Sequence, residues 1–163
     1  MKTLFVMRHA KSSWENSDLA DFERPLNKRG LRVAPLVGET IRKNRFQIDL
    51  IVSSPAERAK QTAILVKKAA QTQVEIKFDE RIYEANTQTL LEVINGLNEK
   101  TKSAMLVGHN PGFENLVKAL TGEIEPMPTA ALAVIDLKTD KWSDVEAGCG
   151  NLRVLIRPKE INL

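Results

Sequence analysis

The sequence predicts an α/β fold, a three-layer α/β/α sandwich with a mostly parallel central sheet, and three observations carry that prediction. Short β-favouring apolar runs alternate with stretches of helical periodicity. The runs are apolar enough to be strands covered on both faces. Helix-start signals, Ser54-Pro55 and Asn110-Pro111, come directly after two of them. At 163 residues the chain fits one domain, 1–163. A domain of that size buries roughly 70% of its unfolded surface without disulfides or metal clips.

The elements follow in order. Residues 3–7 read as a buried strand that stops at Arg8-His9, and the polar stretch 11–24 reads as a long loop. Asn27 is placed to cap a helix running to about residue 44, with Leu31, Ala34, Val37 and Ile41 at helical spacing and Pro35 expected to kink it. A second strand spans 49–53. Ser54, Pro55 and Glu57 then occupy the cap, first and third positions of a helix whose face is Ala59, Ala63, Val66 and Ala70, ending near Gln71. A short strand over 74–78 precedes a third helix over 87–97, with Leu90, Ile94 and Leu97 on one side. A strand over 104–107 leads to Gly108-His109, after which Asn110 caps and Pro111 opens a helix to residue 120. Strands over 131–137 and 152–156 close the sheet, separated by a turn-rich segment.

Composition narrows the function. Lys and Arg number 24 against 21 Asp and Glu, a net +3 that is spread along the chain, and aromatics make up only 5% of residues. Neither feature fits a general nucleic-acid binder. Cys149 is the single cysteine, which excludes disulfide frameworks and thiolate zinc sites within one chain, and it has no evident role. The apolar run before Arg8 is too short for a signal peptide, and the longest apolar run, 130–135, is far below the ~18 residues that cross a bilayer. A cytoplasmic protein without a membrane span is expected.

In open α/β sheets ligands bind beyond the carboxyl ends of the strands. Both histidines of the chain, His9 and His109, stand just after expected strands, and Arg58 falls in the first turn of the helix that follows the second strand. A cation in a helix's first turn opposes the dipole and costs about a few tenths of a kcal/mol unless an anion offsets it. Two imidazoles, the guanidiniums of Arg8 and Arg58 and two helix N-termini around one mouth suit a tetrahedral dianion such as phosphate. With only two histidines a hundred residues apart and no cysteine partner, no metal site is expected.

These residues, in this order, resemble the histidine phosphatase superfamily, with its phosphoglycerate mutase-like fold. The closer resemblance is to the small SixA-type phosphohistidine phosphatase branch. It is carried by Met7-Arg8-His9-Ala10-Lys11-Ser12-Ser13-Trp14, Glu23-Arg24-Pro25-Leu26-Asn27-Lys28-Arg29-Gly30, Ser53-Ser54-Pro55-Ala56-Glu57-Arg58-Ala59, Tyr83-Glu84-Ala85, Val107-Gly108-His109-Asn110-Pro111-Gly112 and Pro128-Thr129-Ala130-Ala131. The similarity runs collinearly from residue 1 to about residue 137. Ala10 stands where the wider family has Gly, and its methyl would crowd the pocket floor if the backbone there required a positive φ.

The resemblance implies that His9 attacks phosphorus and becomes a transient phosphohistidine while Arg8, Arg58 and His109 hold the non-bridging oxygens. It implies Arg24 as a pocket residue, Lys11 and Ser12 on the loop as further substrate contacts, and Asn110 as a helix cap with a secondary contact. Glu84 is the candidate general acid, and Trp14 either shapes the rim or packs. No cofactor is implied. The implied partner is a phosphorylated protein, a phosphorelay or phosphocarrier histidine in signal transduction, or else a small phosphate compound, met by a monomer. Three readings stand: a phosphohistidine phosphatase, a phosphatase for small phosphate monoesters, and a module that binds a phosphoprotein without turnover. A two-histidine phosphodiesterase is excluded, because it needs Thr or Ser two residues after each His, where this chain has Lys11 and Pro111.

Overall fold

The computed structural model describes residues 1–161; the last two positions of the expected 1–163 domain lie outside the described residues. Six strands, β1 (Lys2–Arg8), β2 (Leu50–Ser53), β3 (Ile76–Phe78), β4 (Ser103–Gly108), β5 (Leu132–Leu137) and β6 (Gly150–Ile156), form one sheet in the order β3-β2-β4-β1-β5-β6. β1 to β4 pair in parallel, and β5 runs antiparallel between β1 and β6. Four helices complete the architecture: α1 (Lys28–Lys43), α2 (Glu57–Ala70), α3 (Thr87–Asn95) and α4 (Gly112–Thr121).

Strand side chains alternate faces, so each central strand feeds two cores. Leu4 and Val6 of β1 pack with Leu90 and Ile94 of α3 and Leu116 and Leu120 of α4. Phe5 and Met7 pack on the other side with Ala34 and Val37 of α1 and Ala63 and Val66 of α2. The chain is thus an α/β/α sandwich with a mostly parallel sheet, as its alternating pattern predicts. Among the described residues no helix is long and apolar enough to cross a membrane.

Among the strands, β3 starts at Ile76 rather than residue 74 and β6 at Gly150 rather than residue 152; the other differences lie in the helices. α1 is capped as read, Asn27 accepting from the Gly30 N–H at 2.8 Å, and it runs unbroken through Pro35. α2 begins later than Ser54 allows. Its N-cap position is Ala56, without a side-chain cap, and Ser54 Oγ accepts from the Ala56 N–H in a turn before the helix. α4 also starts late, with Pro111 at the cap position and Asn110 outside it. α3 ends at Asn95 because Gly96 closes it, and Asn86, unrecognised in the sequence, caps its start by accepting from the Thr89 N–H at 2.9 Å.

Chain order decides where the site sits. After β1 the chain passes to β2 and β3 and returns to place β4 between β2 and β1. This reversal next to β1 is the switch point where open sheets form a crevice. The register pairs Arg8 with Gly108, so the next residues, His9 and His109, leave the sheet side by side.

Candidate active site

The first strand ends in a tightly held strap. His9 is buried, its backbone N–H donates to the Gly108 carbonyl at 2.9 Å, and its carbonyl accepts from the Ala130 N–H at 2.9 Å. The Ala10 N–H donates to Thr62 Oγ1 at 3.0 Å, and that hydroxyl donates to the Arg58 carbonyl at 2.7 Å. The strap bearing His9 is thereby tied to the helix bearing Arg58. Ala10 is fully buried in the α1/α2 core and has no positive φ, so its methyl leaves the pocket floor free.

His9 Nδ1 lies 2.7 Å from the Ala10 carbonyl oxygen. A carbonyl only accepts, so Nδ1 carries the proton and the lone pair of the neutral ring is at Nε2. His109 stands beside it, ring centroids 5.2 Å apart, with Nε2 2.8 Å from Ser54 Oγ. Burial holds His9 well below the usual imidazole range, at about 4, with Arg58, Arg8 and Arg24 acting in the same direction against the Ala10 carbonyl. Burial, followed by His9 and Arg58, holds His109 at about 3. Both rings are neutral at pH 7.

The guanidiniums surround these rings, with different degrees of freedom. Arg8 donates from one terminal nitrogen to the Met127 carbonyl at 3.1 Å, while its Nε, like His109 Nδ1, is buried without a partner among the described residues. Arg58 donates to the Asp21 carbonyl at 2.6 Å and to its carboxylate at 3.0 Å. Arg24 is buried and engaged at all three nitrogens, donating to Ser13 O, Asp21 Oδ1 and Ser12 Oγ, and Trp14 lies over it with its ring centroid 3.2 Å away. Ser12 is thus held under Arg24. Trp14 is 74% exposed and forms part of the rim.

Two contributors escaped sequence reasoning. Asp21, in the 3-10 turn Asp21–Glu23, links Arg24, Arg58 and the Tyr83 hydroxyl, which donates to it at 2.6 Å. The Tyr83 hydroxyl, with Arg58 and Arg24 adding to it, pulls the Asp21 carboxyl down to about 2. Burial and the Asp21 charge push Tyr83 up to about 12, and its ring meets His109 edge-on at 5.4 Å. Nothing in the sequence separates Asp21 from its acidic loop neighbours Glu15, Asp18 and Glu23. Ser54 carried a signal that pointed to helix capping and ends against His109.

A cleft of about 430 Å3 opens beside His109, lined by Arg58, Tyr83, Glu84, Asn86, His109 and Asn110 among others. Glu84 is exposed at its edge with φ +54°. Asn110 donates to the Met127 carbonyl at 2.9 Å and accepts from the Glu114 N–H at 3.3 Å, so its amide holds the segment that also receives Arg8. Lys11 is exposed and borders a separate cleft on the opposite flank. The structure therefore brings Arg8, His9, Arg58 and His109 together, with Arg24 and Ser12 bracing their loop, Glu84 and Asn110 on one flank and Lys11 on the other. Among the described residues no group of three or more His, Cys, Asp or Glu side chains converges as a metal-binding cluster.

Known proteins share this arrangement of elements. The model of the histidine phosphatase superfamily, branch 1, matches residues 4–103. The uncharacterized protein Rv1276c of Mycobacterium tuberculosis is 34% identical over 159 residues, 90% of this chain and 96% of its own length. A candidate phosphohistidine phosphatase SixA from Agrobacterium tumefaciens superposes with a TM-score of 0.83 at 30% identity, over 96% of this chain and 98% of that one. The protein histidine phosphatase SixA complexed with tungstate gives 0.85 at 22% identity, over 98% and 99% of the two chains, a likeness of fold.

Proposed function

This chain belongs to the histidine phosphatase superfamily, and on that premise we propose that it removes the phosphoryl group from a protein phosphohistidine, without a metal, by way of a phosphohistidine on its own His9. The observation that carries the reading is the 2.7 Å hydrogen bond from His9 Nδ1 to the Ala10 carbonyl, which leaves Nε2 as the unprotonated nitrogen. A nucleophilic imidazole must be neutral, and burial among cations keeps it so.

In the first step Nε2 attacks phosphorus as the bond to the leaving imidazole breaks, and the departing nitrogen keeps the electron pair and takes up a proton. In the second, water adds to the phosphoryl group of His9, inorganic phosphate departs, and the ring returns to its neutral form. The transition state spreads charge over the equatorial oxygens, so catalysis rests on positioned cations and donors. Arg8 Nε, without a partner among the described residues, and the guanidinium of Arg58 are suited to that task. His109, neutral with Nδ1 free, adds a donor when that nitrogen carries its proton. Arg24 acts through the loop, bracing Asp21 and Ser12.

Glu84 is the proposed proton donor to the leaving group. Imidazole departs with a conjugate acid of pKa near 6.5 and needs little help, whereas an alkoxide is far more basic. The exposed position of Glu84 supports phosphohistidine as the substrate. Its place at the cleft edge favours the second reading, a small phosphate monoester.

The test is to incubate the metal-free protein with a phosphoramidate and a phosphate monoester and to trap acid-labile phosphate on wild type and His9→Ala. Faster turnover of the phosphoramidate, with labile phosphate on wild type alone, is expected. No turnover and no trapped phosphate with either substrate overturns the covalent mechanism in favour of a binding module.

A further inference from the structure

The two flanks of the mouth differ in charge. The flank beside His109 carries the exposed Glu84 and Asp21, the latter paired with Arg24 and Arg58. The other holds a cleft of about 210 Å3 into which Lys11, Arg29 and Lys159 face, with Val33, Pro128 and Thr129 among its walls and no carboxylate in the lining. All three cations are exposed, and among the described residues none forms an ion pair.

The backbone fixes this cleft against the reaction centre. Lys11 is two residues from His9, and its carbonyl accepts from the Asn27 N–H at 3.0 Å, at the start of α1. A Cβ at Gly30 would overlap that carbonyl oxygen, so the strap lies directly on the helix that presents Arg29. Thr129 precedes Ala130, whose N–H holds the His9 carbonyl at 2.9 Å. The strap and α1 therefore place Lys11 and Arg29 beside the candidate phosphoryl site, and Lys159 joins them in the lining of the same concave cleft, which concentrates their field. On the proposed mechanism the phosphoryl group is held elsewhere, by Arg8 and Arg58. These cations are left for a second anionic group.

Resting on the phosphatase reading, we infer that the Lys11, Arg29 and Lys159 cleft is a subsite for an acidic side chain of the phosphoprotein, and that it orients the partner across the mouth. An extended chain advances about 3.3 Å per residue, so an Asp or Glu a few residues from the phosphohistidine reaches it. A partner presenting lysines there meets like charge, and the exposed Glu84 on the opposite flank disfavours the reversed orientation.

The experiment uses two synthetic phosphohistidine peptides of equal length, flanked by Asp or by Lys, and the same pair with a non-hydrolysable phosphohistidine analogue for equilibrium binding. Wild type is expected to bind the Asp peptide more tightly than the Lys peptide by about fivefold at low ionic strength, with the ratio shrinking as salt is raised. In the Arg29→Glu, Lys159→Glu double variant the ratio is expected to fall to unity or invert, while turnover of a small phosphoramidate stays at the wild-type rate. Equal binding of both peptides by wild type, or an undiminished preference in a double variant that still turns over the phosphoramidate, overturns the subsite. The wild-type comparison stands even where the double variant does not fold. Binding reads the subsite and turnover reads the phosphatase: selective binding without turnover leaves the subsite and removes the enzyme, and turnover without selectivity does the reverse.

Discussion

His9 and His109 are two neutral imidazoles whose ring centroids lie 5.2 Å apart, and their hydrogen bonds give them different work. Nδ1 of His9 is committed to a carbonyl, which leaves Nε2 with the lone pair; His109 is engaged through Nε2, and its Nδ1 has no partner among the described residues. Glu84, exposed at the cleft edge, reports on the substrate. Glu84→Gln is expected to lower kcat on an alkyl phosphate by about 10²-fold or more, and on a phosphoramidate by far less, because only the alkoxide leaving group needs a strong proton donor. Parallel steady-state kinetics on the two substrates check this, and equal losses on both would remove the distinction. Of the four candidate residues the structure gathers, Arg8, His9 and His109 were legible in the sequence because strand ends are read directly from apolar runs, and Arg58 because a helix start follows the second of them. Asp21 was not, since which carboxylate of a polar loop reaches Arg58 depends on the loop's path, closed here by the bridge between Ser12 and Leu26. Arg24 was legible as a candidate only through resemblance, and its engagement by Ser12, Ser13 and Asp21 was not legible at all.

Elements meet at the site through glycines. Gly108 ends β4 just before His109, and a Cβ there would come within 2.6 Å of Phe113 and 2.8 Å of Ile82. Phe113 belongs to α4 and Ile82 to the turn leading to Tyr83 and Glu84, so this contact sets the spacing of the cleft walls. Gly108→Ala is expected to destabilise the fold by about 1–3 kcal/mol through overpacking and to lower kcat by displacing His109. Urea denaturation together with kinetics on a phosphoramidate tests both, and a variant with wild-type midpoint and rate would show that the walls yield. The helix starts illustrate how local signals compete. Ser54-Pro55 satisfies the cap pattern, yet the Ser54 N–H is taken by the Val107 carbonyl at 2.9 Å, extending the β2 to β4 pairing past the end of β2, so the chain turns only afterwards. Neighbouring strands outrank the local cap preference.

Across the whole molecule the buried imidazoles make stability depend on pH. His9 and His109 titrate near 6.5 when unfolded and at about 4 and about 3 when folded, so between those values the unfolded chain binds more protons. Their contribution to stability is complete above about pH 6.5 and is lost as pH falls toward 4, by on the order of a few kcal/mol. Urea unfolding free energies measured from pH 7.5 to pH 4 are expected to decline over that window, with a smaller decline in a His9→Ala, His109→Ala protein; an unchanged slope in that variant would assign the acid sensitivity to other groups.

What the sequence determined by itself was the alternation of strands and helices, the three-layer class, and the delivery of Arg8, His9, Arg58 and His109 to strand ends and a helix start. These follow from periodicity and chain order, which are local. Only the tertiary structure decided that β4 inserts next to β1, which brings His9 and His109 together although 100 positions separate them. It also decided that Asp21 bridges two arginines, that Ser54 meets His109, and that Lys11 turns toward Arg29 and Lys159. Those outcomes depend on strand order and loop path, which are set by packing between segments distant in the chain and leave no periodic mark on any one of them.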